Sequence, residues 1–193
     1  AHCGLTIYEA PEFPEEYRGR AFFHNLHGHR IVSERLEKNG ASYVARHAPD
    51  FAYAEDHNQV GVTVMQGPDG ALYSSDWQDS QTCHHRDVEI WDRSNGRIFR
   101  IRHGGIKPTT TRLTEMEPDE LVATLAHENR FHANQARRLL QEGAATGQFE
   151  KPTLRDSLTN FESRQTTTAL RLRAYWAMHA CGVLEEDDLI ARL

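Results

Sequence analysis

The period of the hydrophobic pattern changes once along this 193-residue chain, near Lys107, and that change limits the folds open to it. Before it, short segments rich in β-formers, partly alternating apolar and polar, predict strands at residues 3–9, 20–24, 30–36, 42–46, 60–65, 71–75 and 97–102. Turn residues separate them. The Asn39-Gly40 pair predicts a two-residue hairpin loop, because both residues tolerate positive φ. Pro68-Asp69-Gly70 supplies a second turn. Residues 77–96 form a long polar insertion carrying Cys83, His84, His85 and Trp91, and loops of that length are more often functional than connective.

From Pro118 the period becomes helical. Thr114 can cap a first helix that takes in Pro118, with Glu115, Glu117, Asp119 and Glu120 at its positive end. Residues 129–142 are amphipathic through Ala133, Ala136, Leu139 and Leu140, and Gly143 is the expected stop. Residues 153–161, 167–180 and 185–193 read as three more helices. The expected organisation is a β part over 1–107, a linker over 108–117 and a helical part over 118–193, an α+β class with segregated halves.

Charge excludes some partners. The chain carries 22 basic and 28 acidic residues, spread evenly over both halves, so neither half offers the basic face that nucleic acid requires. No apolar run reaches the roughly 18 residues of a membrane helix. Repeat arithmetic adds an expectation. A propeller blade takes about 40–50 residues and a helical-pair repeat about 40–47, which gives about two of each here. Closed propellers need about four or more blades. The chain therefore reads as an excised middle of a longer protein.

Nine of the 12 histidines fall within the first 103 residues. His24, His27 and His29 cluster, either as imidazole ligands for a metal, as contacts for a substrate, or as side chains bonded to a bend at Gly28. Asp76, Asp79 and Asp87 flank the polar insertion; they suit an oxygen-only Ca²⁺ site or serve as hydrogen-bond acceptors for turns. His127 and His132 are five residues apart, about 140° out of phase on a helix, and so do not form the paired zinc ligands of a metalloprotease helix. Trp91 is expected to pack, while Arg93 is open to holding an anionic group.

Several blocks together resemble one family. They are Ala1-His2-Cys3-Gly4 with Leu5-Thr6-Ile7-Tyr8, Phe13-Pro14 with Glu16-Tyr17-Arg18-Gly19, and His24-Asn25-Leu26-His27-Gly28. Gly67-Pro68-Asp69-Gly70, Leu72-Tyr73-Ser74-Ser75-Asp76-Trp77 and the stretch 91–101 follow in order. The order is similar to that of the last blades of glucose/sorbosone dehydrogenase-like β-propellers, above all the planctomycete "membrane-bound dehydrogenase" or haem-binding CxxCH proteins. The helical part fits through Asp119-Glu120-Leu121-Val122 and Leu172-Arg173-Ala174-Tyr175-Trp176-Ala177.

The resemblance implies about two propeller blades followed by HEAT-like repeats. It implies as partners the remaining blades, a cytochrome c-type domain and a carbohydrate-like small molecule, and a periplasmic or secreted location. The expected activity is sugar or alcohol oxidation, with His27 and Arg30 catalytic and His24, Asn25, His84, His85 and Arg93 on the substrate. The resemblance also implies a Cys3–Cys83 disulfide. No CxxCH motif occurs, so the chain holds no c-type haem. The block 24–30 lacks the Lys, and 58–65 the Arg, that hold pyrroloquinoline quinone in such sugar dehydrogenases. A scaffold of propeller and helical repeats and a metal-dependent hydrolase are the competing readings.

Overall fold

The alternating half forms two antiparallel sheets in a computed structural model that describes residues 1–83, 91–105 and 111–190. The first is a meander of β1 (His2–Ile7), β2 (Ala21–Asn25), β3 (Arg30–Asn39) and β4 (Ser42–His47). A short β5 (Ala52–Tyr53) pairs with β3 at Arg30 and Ile31. The second is a meander of β6 (Gly61–Gln66), β7 (Leu72–Asp76) and β8 (Arg97–Ile101). The chain divides into two compact units, Ala1–Thr109 and Thr110–Leu193, so the fold is α+β with sheets first and helices second.

The hairpin between β3 and β4 forms one residue later than the turn signal suggests. Asn39 pairs with Ser42, leaving Gly40-Ala41 as the loop. Gly40 takes φ +62, a conformation that only glycine adopts without strain, so the glycine sits first in the loop rather than second.

The two sheets of the first unit share one core. Tyr8, Ala10, Phe13, Phe22 and Ile31 from the first sheet and its loops pack with Val64 and Leu72 from the second. Tyr8 is its polar anchor: its hydroxyl donates to Gly70 O at 2.8 Å and accepts from Phe13 N at 3.1 Å. Burial pushes the phenol up to about 12, so it stays a neutral donor throughout the physiological range. Two glycines allow the sheets to approach. At Gly4 a β-carbon would meet the backbone of Val62, Thr63 and Val64, and at Gly61 it would sit about 2.0 Å from the His24 ring.

In the second unit, α1 (Pro118–Thr124) begins with a capping box in which Glu117 and Glu120 serve one another's backbone. Glu117 thus replaces Thr114 as the cap, and Thr114 lies in a separate 3-10 turn, Leu113–Glu115. Asn129 caps α2 (Arg130–Thr146), its side chain accepting from Phe131 N. This helix runs through Gly143 and stops at Gly147, which takes φ +75. Gly143 is helical because the Phe149 ring occupies the space a side chain would need, with its edge about 2.2 Å from an ideal β-carbon. α3 (Lys151–Ser163), α4 (Thr168–Cys181) and α5 (Glu186–Ile190) complete the unit. Leu121, Leu125, Leu140, Leu154, Leu158 and Met178 form its buried centre.

Gly61→Ala is expected to destabilise the sheet unit by about 1–3 kcal/mol, because a methyl group must displace a buried ring in a packed site. Urea unfolding of the variant checks this, and a midpoint equal to that of the parent protein would contradict it.

Candidate functional site

Among the described residues, two concavities open on the sheet unit. The larger, about 630 Å³, lies along one face of the first sheet, over Leu5, Phe23 and Val32, with Asn25, Arg30 and the His47–Glu34 pair at its polar edges. The smaller, about 300 Å³, is a groove between the β3–β5 corner and β8. Binding sites combine an apolar wall with a few convergent polar groups, and the groove fits that description better. Tyr53 and Phe99 contribute aromatic surface, 64% and 39% exposed respectively. His29, Arg30, Asp56, Gln59, Arg97 and Arg100 contribute the polar groups.

Asp76 organises the groove from below. It ends β7 with its side chain fully buried. Its Oδ1 accepts from Val60 N at 2.7 Å and from Gln78 N at 3.0 Å. Its Oδ2 accepts from Arg97 Nε at 2.8 Å and approaches a terminal Arg97 nitrogen at 2.6 Å. Arg97 reaches on to Asp56 Oδ2 at 3.0 Å. The Asn58 backbone N–H and the Arg97 guanidinium hold the Asp56 carboxyl below its usual range. One buried carboxylate therefore fixes the start of β6, the end of β7 and the guanidinium on β8.

Every guanidinium in the groove already has a counter-charge. Arg97 faces Asp76 and Asp56, Arg100 faces Asp69, and Arg30 lies 3.2 Å from Asp50. Burial alone would raise the Asp69 carboxyl, but the Ala71 N–H and Arg100 hold it below the usual carboxylate range. Among the described residues no lysine lines either concavity. A tricarboxylate quinone needs unpaired cations, so the groove does not fit one.

His29 is the basic residue that sequence reasoning left without a role in catalysis. It takes φ +48 at the turn that ends the Leu26–Gly28 3-10 helix, whose N-cap residue Asn25 accepts from Gly28 N through its side chain. Its Nδ1 lies 2.6 Å from the Gln59 carbonyl. A carbonyl can only accept, so Nδ1 carries the proton and Nε2 is the basic nitrogen. His57 packs edge-on against it, with ring centroids 6.0 Å apart. No pattern in the sequence distinguishes this residue, because its mark is a backbone angle: a non-glycine residue in the left-handed region is uncommon and clusters at functional sites.

The residues singled out from the sequence divide between the groove and its support. Arg30 lines both concavities and Asn25 lines the larger one. His27 is exposed and lines neither. His24 is fully buried beneath the groove, sharing a 3.0 Å hydrogen bond with Ser74, which lines the groove floor. Arg93 stacks on Trp91 with its guanidinium carbon 5.4 Å from the ring centre. His84, His85 and Asp87 lie outside the described residues.

Asp76 and Asp79 take the hydrogen-bond-acceptor role, one of the two read for them from the sequence. The four contacts above take up Asp76, and Asp79 accepts from Gln81 N at 2.8 Å and Asp92 N at 3.0 Å. Among the described residues no group of three or more His, Cys, Asp or Glu side chains is placed to hold a metal. The Cys3–Cys83 disulfide is not made: both thiols are free, and Cys3 Sγ lies 3.6 Å from the Gly61 carbonyl instead. Burial raises the Cys3 thiol, keeping it protonated. In the helical unit the His127 and His132 rings do meet, at 4.5 Å, because α2 begins only at Arg130 and the preceding turn folds His127 back.

Comparison with known proteins gives one match, to the family described as Domain of unknown function (DUF7133), over residues 1–105. No curated protein and no solved structure matches the chain.

His24 predicts a pH dependence. Burial lowers its folded-state pKa, with a Thr63 backbone hydrogen bond and the Asp76 charge pulling weakly the other way. The unfolded chain binds this proton near pH 6.5, whereas the folded chain binds it only at lower pH. Its contribution to stability is therefore complete above about pH 6.5 and declines as the pH falls through the folded value. His24→Gln should flatten the stability profile of the sheet unit between about pH 5 and 7 relative to the parent. Parallel profiles for the two proteins would contradict the assignment.

Proposed function

The chain belongs to the DUF7133 family, and from that premise we propose that it is a segment of a sugar- or alcohol-oxidising redox protein whose groove binds the hydroxylated substrate. In this reading the two meanders are consecutive blades of a β-propeller and the helices are HEAT-like pairs. The remaining blades and a separate haem domain are its partners, and it works in the periplasm or outside the cell. The support is the resemblance of its motif order together with the composition of the groove.

The observation that carries the reading is His29. Its Nδ1 is committed to the Gln59 carbonyl, so Nε2 is the group that accepts a proton from a substrate hydroxyl. Oxidation of an alcohol to a carbonyl releases two protons and two electrons. His29 takes the hydroxyl proton, and the hydrogen on carbon leaves as hydride to a two-electron organic acceptor carried by the rest of the redox protein, from which the haem domain takes the electrons one at a time. Arg97 and Arg100 donate to neighbouring substrate oxygens, while Asp56, which lines the groove and is partly exposed, accepts from a substrate hydroxyl. Tyr53 and Phe99 cover the apolar face of a sugar ring.

A second reading, a non-catalytic scaffold, is favoured by β8. Both faces of this edge strand are open, and Ile98 is 77% exposed. Exposed apolar surface of that kind marks contact with another chain as readily as it marks a rim of an active site.

The test is substrate-dependent dye reduction by the natively purified full-length protein over a panel of sugars and polyols. His29→Ala should lower kcat about 10²–10⁴-fold with a smaller change in KM. No reduction with any sugar or alcohol would remove the redox reading and leave the scaffold.

A further inference from the structure

A second aromatic feature of the sheet unit lies outside the groove. Trp77 directly follows β7, and Trp91 begins the next described segment. Their rings meet edge to face, with centroids 5.5 Å apart and planes at 82°. They remain 45% and 38% exposed. Indoles are among the largest apolar side chains, and leaving two of them together at the surface forgoes burial that a structural role would use.

The backbone around the two rings is held firmly. Trp77 N donates to Val60 O at 2.9 Å, and Asp79 N donates to Asn58 O at 2.8 Å. The Asp79 carboxylate, which is itself buried, reaches across to Asp92 N, the residue after Trp91. Asp92 in turn accepts from the Ser94 hydroxyl at 2.5 Å, the Ser94 N–H at 2.8 Å and the Asn95 amide at 2.6 Å, which holds its carboxyl below the usual range. A buried carboxylate is costly unless it is hydrogen-bonded. Here its bond sets the position of Trp91, and Arg93 lies over that indole.

We propose that Trp77 and Trp91 form a binding corner for a pyranose ring of a neutral oligosaccharide, a carbohydrate site additional to the groove. In edge-to-face contact at the surface, the two indoles present apolar ring faces at right angles to one another. A pyranose presents C–H groups on its faces and hydroxyls at its rim, so its faces match the indoles and its rim meets Arg93, Asp92 and Asn95. An acyl chain would need continuous apolar surface, and here Gln78, Ser80, Asp92 and Arg93 interrupt it. The inference does not depend on redox chemistry in the groove. It implies that the protein holds an oligomeric rather than a monomeric sugar.

The test is titration of the full protein with neutral gluco-, xylo- and manno-hexaoligosaccharides, read by calorimetry and by indole fluorescence. At least one series should bind, with affinity falling tenfold or more in Trp77→Ala and in Trp91→Ala. Trp77→Phe should retain most of it, and Tyr43→Ala, an exposed aromatic on β4 that lines neither concavity, should leave it within twofold. Absence of binding by any of the three series overturns the proposal. So does binding that survives both alanine substitutions in proteins with unchanged circular dichroism. Self-association or vesicle binding that is lost in the alanine variants, without any oligosaccharide binding, would assign the corner to a protein or lipid partner instead.

Discussion

A single buried negative charge, on Asp76, sets much of the geometry of the sheet unit. Taking a carboxylate out of water costs several kcal/mol unless nearby groups replace its hydration. Asp76 is satisfied by two backbone N–H groups and by Arg97, and each partner lies on a different stretch of chain. The charge therefore acts as a three-way clamp. It holds the entry to β6, the exit from β7 and the first residue of β8, and the cross-strand pairing of Asp76 with Arg97 sets the register between the last two. His24, in the opposite sheet, sits against Gly61 and bonds to Ser74, two residues before Asp76 on β7.

The groove inherits its character from that clamp. Its guanidiniums are pre-paired with aspartates, so it is rigid and nearly neutral rather than a cationic funnel. A ligand with alternating donors and acceptors can bridge such ion pairs without breaking them, whereas a bare anion would compete with the aspartates for the same donors. Preorganisation of this kind lowers the ordering cost of binding.

Much of the architecture was legible in the alternation of apolar residues and in the change of period near Lys107. Seven of the eight strands lie on segments read as strands, and all five helices on segments read as helical. Boundaries failed where a distant side chain decided the outcome. Gly143 reads as a helix stop, yet the Phe149 ring claims the space beside it, and the helix continues to Gly147. The two-residue β5 has no pattern of its own and exists only because β3 offers an edge. At the candidate site, His24, Asp76 and Asp79 drew notice for their chemistry, but burial gave them support roles that composition does not reveal. His29 was noticed only as one of a cluster, because its distinction is a backbone angle and a carbonyl partner. Arg97, Arg100, Tyr53 and Phe99 come together only through the pairing of β8 with β7 and of β5 with β3, which no local pattern specifies.

The most direct test of this account is a crystal structure of the protein soaked with a sugar that it oxidises or binds. The account predicts ligand density in the groove, with a hydroxyl within hydrogen-bond distance of His29 Nε2, the ring against Tyr53 or Phe99, and the Asp76–Arg97 pair intact. Density confined to other surfaces, or a groove ligand that displaces Asp76 from Arg97, would contradict it.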